Sequence, residues 1–339
     1  MLYELKHIVD KAIDFQNQGL RSVMATVVAL DGSSYRKPGV RMLIAEDGEM
    51  IGAVSGGCVE REVYEQSKSV FRDGLPKVMT YDGRYRLGCE GILHILIEPL
   101  QITKSFYEAF YACLRARYPV QITSYFAKQE AISEKYGTVV YFDDEEAFSL
   151  RKDYTLHQHQ DLQSFNQNLA PRFRLYICGG EHDGVKLCAM ASSLGWEVHV
   201  ITSIRDPKTA ADFPGASSVI AQAPELAELT IDDDTAVVLM THNYAQDLKW
   251  LLRLEAFNPR YIGILGSGKR QEKLVDEVLN QKPDFNISML DQIYSPAGLH
   301  IGSVTPEEIG LSILAEILAV YRGLETASLR DQGRKSVEE

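Results

Sequence analysis

The chain has 339 residues, 45% of them hydrophobic, and a formal net charge of −12. That length accommodates about two domains of 100–200 residues, and the acidity argues against an extended nucleic-acid footprint, which needs a basic face. No apolar run reaches membrane-span length, the N-terminus lacks a signal-peptide pattern, and five cysteines without a Cys-x-x-Cys pair make neither a disulfide framework nor a zinc site, so the expected setting is reduced and cytoplasmic.

Residues 3–18 predict an amphipathic helix that buries Leu5, Ile8, Val9, Ala12, Ile13 and Phe15 and stops at Gly19. Ser22 to Leu30 reads as a strand without polar alternation, expected to be buried on both faces. The loop 31–39 follows. Its Ser33, Ser34, Arg36 and Lys37, with Arg41 just beyond, set three cations beside two hydroxyls, a combination suited to an anion. Residues 41–45 and 50–54 read as paired strands around Glu46-Asp47-Gly48.

The second of these strands runs into Ser55-Gly56-Gly57-Cys58, after which Val59, Val63 and Tyr64 take helical spacing. Two glycines let the backbone turn sharply and approach a ligand. Cys58 and Glu60 fall in the first helical turn, where free N–H groups and the helix dipole favour an anion and a thiolate. The plainer reading is a small buried cysteine at a strand-helix turn. The helix extends to about Phe71 and ends near Gly74; a strand at 78–81 leads to a second glycine loop, where Gly88 and Gly91 bracket Cys89 with Arg84 and Arg86 nearby. Residues 92–97 form the next strand. The segment 101–150 reads as a helix at 105–117, with Cys113 in its core, and strands at 120–126 and 138–142. Residues 151–171, rich in Gln, Asn and His, read as a linker between an N-terminal α/β domain, 1–155, and a C-terminal domain, 172–325.

From Phe173 strands alternate with helices: 174–178, 197–201, 218–220, 236–240 and 261–265 are the strands. This predicts a Rossmann-like, doubly wound parallel sheet with its ligand crevice at the carboxyl ends of the strands. Gly179, Gly180 and His182, then Thr241 and His242, then Gly266 and Ser267 followed by Lys269 and Arg270 all fall on that edge. Gly179 and Gly184 match the outer glycines of the dinucleotide fingerprint. Glu181 stands where the middle glycine admits pyrophosphate, and the second strand ends in Ile201-Thr-Ser-Ile-Arg205, without a ribose-binding carboxylate. NAD(P) binding is therefore expected to be weak or absent. Thr305-Pro306-Glu307-Glu308 is a capping box opening an apolar helix, 306–322, whose apolar surplus predicts a homodimer.

These motifs together resemble the xanthine dehydrogenase accessory (XdhC/CoxI) family. Gly32-Ser-Ser-Tyr-Arg-Lys-Pro-Gly-Val-Arg41, Val54-Ser-Gly-Gly-Cys-Val-Glu60 and Leu87-Gly-Cys-Glu-Gly91 are similar to its N-terminal signatures. Thr241-His242, Tyr261 to Ser267, Pro296 to Gly302 and Thr305 to Glu308 are similar to its C-terminal ones. Residues 101–170 fall outside the likeness, and Glu90, Glu181 and Thr202 depart from it. The resemblance implies a molybdenum-cofactor chaperone, not a turnover enzyme. Such a protein holds the anionic molybdopterin cofactor, assists its sulfuration with a cysteine desulfurase, and delivers it to a molybdenum hydroxylase. Cys58, and with it Cys89, becomes the candidate molybdenum or sulfur ligand, a role a soft thiolate suits. The competing function is a nicotinamide-dependent oxidoreductase in the C-terminal sheet, with His182 or His242 as acid-base.

Overall fold

The structure, a computed structural model, describes residues 2–34, 37–56, 58–83, 91–142, 146–152, 154, 161–257 and 259–331, with Cys58 described in its backbone alone. Two compact units divide the chain, Met1–Pro171 and Arg172–Glu339.

The first unit opens with α1 (Leu2–Asn17), followed by β1 (Ser22–Asp31), β2 (Arg41–Ala45), β3 (Met50–Gly52), α2 (Cys58–Asp73), β4 (Lys77–Asp82) and β5 (Ile92–Leu100). Then come α3 (Lys104–Ala116), β6 (Val120–Phe126), β7 (Ala131–Ile132), β8 (Gly137–Tyr141), β9 (Ala147–Ser149) and β10 (Gln163–Leu169). Six strands make one antiparallel sheet in the order β3-β2-β1-β5-β4-β7, and four make another in the order β10-β6-β8-β9. The largely apolar β1 is buried on both faces, as its lack of alternation requires. Val23, Ala25 and Val27, with Met42 and Ile44 of β2, pack against Val59, Val63 and Val70 of α2. Met24, Leu43 and Ala45 face the other way, into a core shared with α1, α3 and the second sheet.

Two local expectations change. The strand ending at Val54 stops at Gly52, whose φ of 82° is left-handed and whose Cβ position would lie 2.8 Å from the Arg41 carbonyl oxygen. Residues 163–169, read as linker, form β10, which pairs with β6 from Gln163↔Phe126 to Leu169↔Val120. Phe165, Gln167 and Leu169 turn inward and alternate with exposed Ser164, Asn166 and Asn168, but Gln167 interrupts the apolar face and only Leu169 is fully buried. Pairing with β6 along its whole length, with Phe165 and Leu169 packed into the cores beneath, makes it a strand.

The second unit contains β11 (Arg174–Cys178), α4 (His182–Ser193), β12 (Glu197–Thr202), β13 (Ser218–Ala221), β14 (Thr235–Leu239), α5 (Tyr244–Leu254), β15 (Tyr261–Ile264), α6 (Gly268–Gln281), β16 (Ile293–Tyr294) and α7 (Pro306–Arg322). All six strands are parallel, in the order β13-β12-β11-β14-β15-β16. Numbered within the unit this is 3-2-1-4-5-6, the order of dinucleotide-binding sheets, with a switch point between β11 and β14. The capping box forms as read: the Thr305 side chain accepts from Glu308 N–H and the Glu308 carboxylate from Thr305 N–H. Ile313, Leu314 and Ile317 of α7 pack with Leu187, Cys188 and Ala191 of α4. Much of the apolar surplus that predicted a dimer is thus consumed inside the unit. Among the described residues no helix is long and apolar enough to cross a membrane.

Candidate functional site

Antiparallel pairing gathers the loops of the first unit at one end of its larger sheet. Asp31, the last residue of β1, pairs with Ile92, the first of β5, and Ile92 pairs with Asp82, the last of β4. Gly52 ends β3 opposite Met42, next to the start of β2. A Cβ on Gly91 would fall 2.5 Å from the Ser33 carbonyl oxygen, so a glycine there lets the exit of the second loop touch the first. Ser33 and Lys37 are exposed and Ser34 is half-buried. Arg36, Gly57, Gly88 and Cys89 lie outside the described residues.

The turn before α2 is held by its own helix. The Ser55 N–H donates to Glu60 Oε1 at 2.7 Å, and Glu60 is only 8% exposed. The glutamate of the first turn thus reaches back past the helix start and satisfies a donor ahead of it. Glu60 thereby acquires a structural task beside its expected place at the site. The space a Gly56 side chain would fill is open, so a ligand can approach the backbone there. The helix begins at Cys58. By contrast Cys113, Cys178 and Cys188 are buried free thiols. Burial pushes the Cys178 thiol well up and the Cys188 thiol up to about 11, which keeps both protonated and unreactive at neutral pH.

Arg41 does not turn toward α2. It shares a side of β2 with Leu43 and Ala45, which belong to the α1 core, whereas Met42 and Ile44 belong to the α2 core. The expected grouping of Arg41 with the Cys58 turn is therefore divided by the sheet itself. Its Nη1 donates to the Gly39 carbonyl at 2.9 Å and to Gln167 Oε1 at 2.7 Å. Gln167 was not singled out in the sequence, because the strand that carries it read as linker.

In the second unit the crevice forms at the switch point. Gly179 has φ 148°, and a Cβ there would sit 2.3 Å from the Met240 carbonyl oxygen, so only glycine fits between β11 and β14. A cavity of about 130 Å³ is lined by Gly179, Gly180, Glu181, Thr202, Asp206 and Thr241, among others. Glu181 is the N-cap of α4, exposed and without a side-chain cap bond; its carboxylate stands at the helix N-terminus that would otherwise receive pyrophosphate. Thr202 is buried and its hydroxyl accepts from Lys208 N–H at 3.3 Å. Asp206, one residue past the stretch searched for a ribose carboxylate, reaches the cavity lining and pairs with Lys208 at 2.7 Å.

A second cavity of about 400 Å³ is lined by His242, Gly266, Arg270, Pro296, Ser303 and Ser312, among others. His242 holds a left-handed φ of 53°, a strained conformation that clusters at functional sites. Its Nε2 lies 3.9 Å from Asp183 Oδ2. Asp247, 1% exposed, ties the two loops of this edge: it accepts from the Thr241 hydroxyl at 2.6 Å and from Arg270 Nη2 at 2.7 Å. The charge that Arg270 brings to this edge is thus taken up by Asp247. His182 is exposed in the first turn of α4, and Ser267 is the exposed N-cap of α6; neither belongs to the lining of these two cavities. Among the described residues no cluster of His, Cys, Asp and Glu is arranged to hold a metal ion.

Comparison with known proteins places one family match on each unit. Residues 15–82 match the XdhC and CoxI family, and residues 175–317 match the XdhC Rossmann domain. The chain is 31% identical over 314 residues to a protein of Bacillus subtilis (strain 168) named as a probable xanthine dehydrogenase subunit, covering 88% of this chain and 92% of that one. It is 23% identical over 309 residues to the molybdenum cofactor insertion chaperone PaoD of Escherichia coli (strain K12), covering 91% and 86% respectively. A crystal structure from Bacillus halodurans, described as a xanthine dehydrogenase, matches with a TM-score of 0.76 at 28% identity, covering 95% of this chain and 97% of that one. Two units, two matching family descriptions and near full-length relatives lead to one conclusion: the chain belongs to the XdhC and CoxI family.

Proposed function

We propose that this protein is a cytoplasmic insertion chaperone for the molybdenum cofactor of a xanthine dehydrogenase-type hydroxylase, and that it protects the cofactor while a cysteine desulfurase supplies its terminal sulfur. The observation that carries the reading is the start of α2: a glycine turn, held by Glu60, opens a helix at Cys58 on a sheet end where polar loops gather. The other cysteines among those described are core residues. The residues fit an anionic, thiophilic group. Gly56 leaves space for backbone approach, Ser33, Ser34 and Lys37 supply donors and charge, and a helix N-terminus favours an anionic ligand. When bound, the cofactor supplies a dithiolene-held oxo-metal centre; the chain's part is to hold it, shield it from water and keep Cys58 at its metal end as ligand or sulfur carrier. Near full-length likeness to an insertion chaperone supports the same reading. The nicotinamide alternative has Glu181 against it, since a carboxylate at the α4 N-cap opposes a bound pyrophosphate.

The test is activation of a molybdenum hydroxylase apoenzyme. Cys58→Ser should lower activation at least tenfold while changing folding stability by no more than about 0.5 kcal/mol. Full activation by Cys58→Ser would exclude cysteine chemistry at this turn. Micromolar binding of NADH by the unaltered protein would favour the oxidoreductase reading instead.

A further inference from the structure

Arg41 is 8% exposed and its five N–H donors divide sharply. The two on Nη1 go to the Gly39 carbonyl and to Gln167 Oε1. Nε and Nη2 are buried, and neither has a hydrogen-bond partner among the described residues. These two nitrogens lie along one edge of the planar guanidinium, the edge that matches two oxygens of a phosphate or carboxylate. Leaving charged donors buried and unpaired is costly. Purely structural use of Arg41 would therefore be a poor choice at a position where the neighbouring β2 residues are apolar.

Arg41 lines a cavity of about 290 Å³ together with Tyr3, Glu4 and His7 of α1 and Gly52 and Ala53 at the end of β3 and just beyond it. The volume far exceeds that of a single water and suits a small phosphorylated molecule. Among the described residues no carboxylate bonds to the guanidinium directly. Glu4 attracts it across the cavity at longer range, and Glu98 attracts it from within the sheet. Glu98 is engaged by Thr138, and burial lifts its pKa to about 7, so near neutral pH it carries only part of a charge. Burial lowers the pKa of Arg41 to about 10, which leaves it fully cationic under the same conditions. Thr26, opposite Arg41 across the β1–β2 pair, adds a buried hydroxyl that likewise has no partner among the described residues. Gln167 fixes the plane of the group from the other side, and its amide packs where a Gly39 Cβ would lie, 2.3 Å away.

We infer that this cavity binds a phosphate-class oxyanion, gripped by the Nε–Nη2 edge of Arg41, with His7 and Tyr3 of α1 at its rim. The sheet lies between Arg41 and α2, so the inference does not depend on what binds at the Cys58 turn. The same chemistry serves the phosphate ester of molybdopterin and free inorganic phosphate, and the test separates them.

Full-length protein is titrated calorimetrically with inorganic phosphate and, separately, with molybdopterin, at an ionic strength held constant with chloride. Arg41→Lys keeps the charge and loses the two-pronged edge; Ala53→Leu keeps Arg41 and fills the cavity. Circular dichroism checks that each variant is folded, and either variant alone suffices if the other is not. Binding by the unaltered protein, weakened tenfold or more in each folded variant, is the expected result. Preference for molybdopterin assigns the cavity to the cofactor's phosphate; equal affinity assigns it to the free ion. Absence of binding of both probes, or variants that bind like the unaltered protein, would overturn the inference. The chaperone reading stands or falls separately, on hydroxylase activation by Cys58→Ser.

Discussion

Glu98→Gln should make this protein more stable above neutral pH and flatten its pH dependence. Glu98 is fully buried in β5; its Oε2 accepts from Thr138 N–H at 2.9 Å and its Oε1 from the Thr138 hydroxyl. Desolvation lifts its pKa from 4.5 to about 7, against the opposing pull of the Thr138 bonds and of Arg151 and Arg41. A raised carboxyl pKa means that the folded chain holds this proton where the unfolded chain has released it. Stability contributed by the group is therefore complete below pH 4.5 and falls as pH rises through about 7. At about 1.36 kcal/mol per pH unit, that gap is worth ~3 kcal/mol. Glutamine retains the shape and both bonds: its oxygen accepts from Thr138 N–H and its amide donates to the Thr138 hydroxyl, which then donates to Ser124 Oγ 2.8 Å away. Loss of the attraction to Arg41 and Arg151 offsets part of the gain, so the variant should be more stable at pH 8 by about 1–2 kcal/mol. Urea unfolding at pH 5 and pH 8 measures this. Both tryptophans, Trp196 and Trp250, lie in the second unit, so a transition seen by circular dichroism but not by tryptophan fluorescence belongs to the first. A variant less stable than the parent at pH 8, or identical pH profiles for the two, would show that Glu98 is ionised and paired in the fold.

Glu60→Ala leaves the half-buried Ser55 N–H before α2 without its acceptor and should cost about 1–2 kcal/mol in urea unfolding, whereas Glu60→Gln keeps an oxygen for it and should stay within about 0.5 kcal/mol. Asp247→Asn removes the charge that Arg270 and the Thr241 hydroxyl share, and should cost about 2–3 kcal/mol, followed by fluorescence of Trp250 on the same helix. An unchanged unfolding midpoint for Asp247→Asn would show that solvent satisfies Arg270 equally well.

The parallel sheet was legible because short apolar runs alternate with helical patterns from Phe173 onward. Gly179 was legible for a related reason: its backbone position tolerates no side chain, and the sequence carries that demand openly. Arg41 stands out in the sequence as a cation beside a small-residue loop, but its direction does not. Side chains of a strand alternate between faces, and nothing local tells which face receives α2 and which receives α1. Gln167, Asp206 and Asp247 escaped notice because their roles depend on partners brought together by topology. The strand β10 escaped for the complementary reason: Gln167 breaks the apolar face that Phe165 and Leu169 begin.

The late position of β10 has a consequence for synthesis. Gln167 follows Arg41 by 126 residues. At roughly 5–20 residues per second, the ribosome delivers it on the order of ten seconds later. By then every strand of the larger sheet is already out, and among the described residues the Arg41 Nη1 has only the Gly39 carbonyl, two residues away, to steady it. The guanidinium plane is set only when the last strand before Arg172 arrives. A nascent or truncated chain ending at residue 155 would carry the whole of that sheet and an unanchored cation within it, so competence to grip an oxyanion is withheld until the first unit is complete.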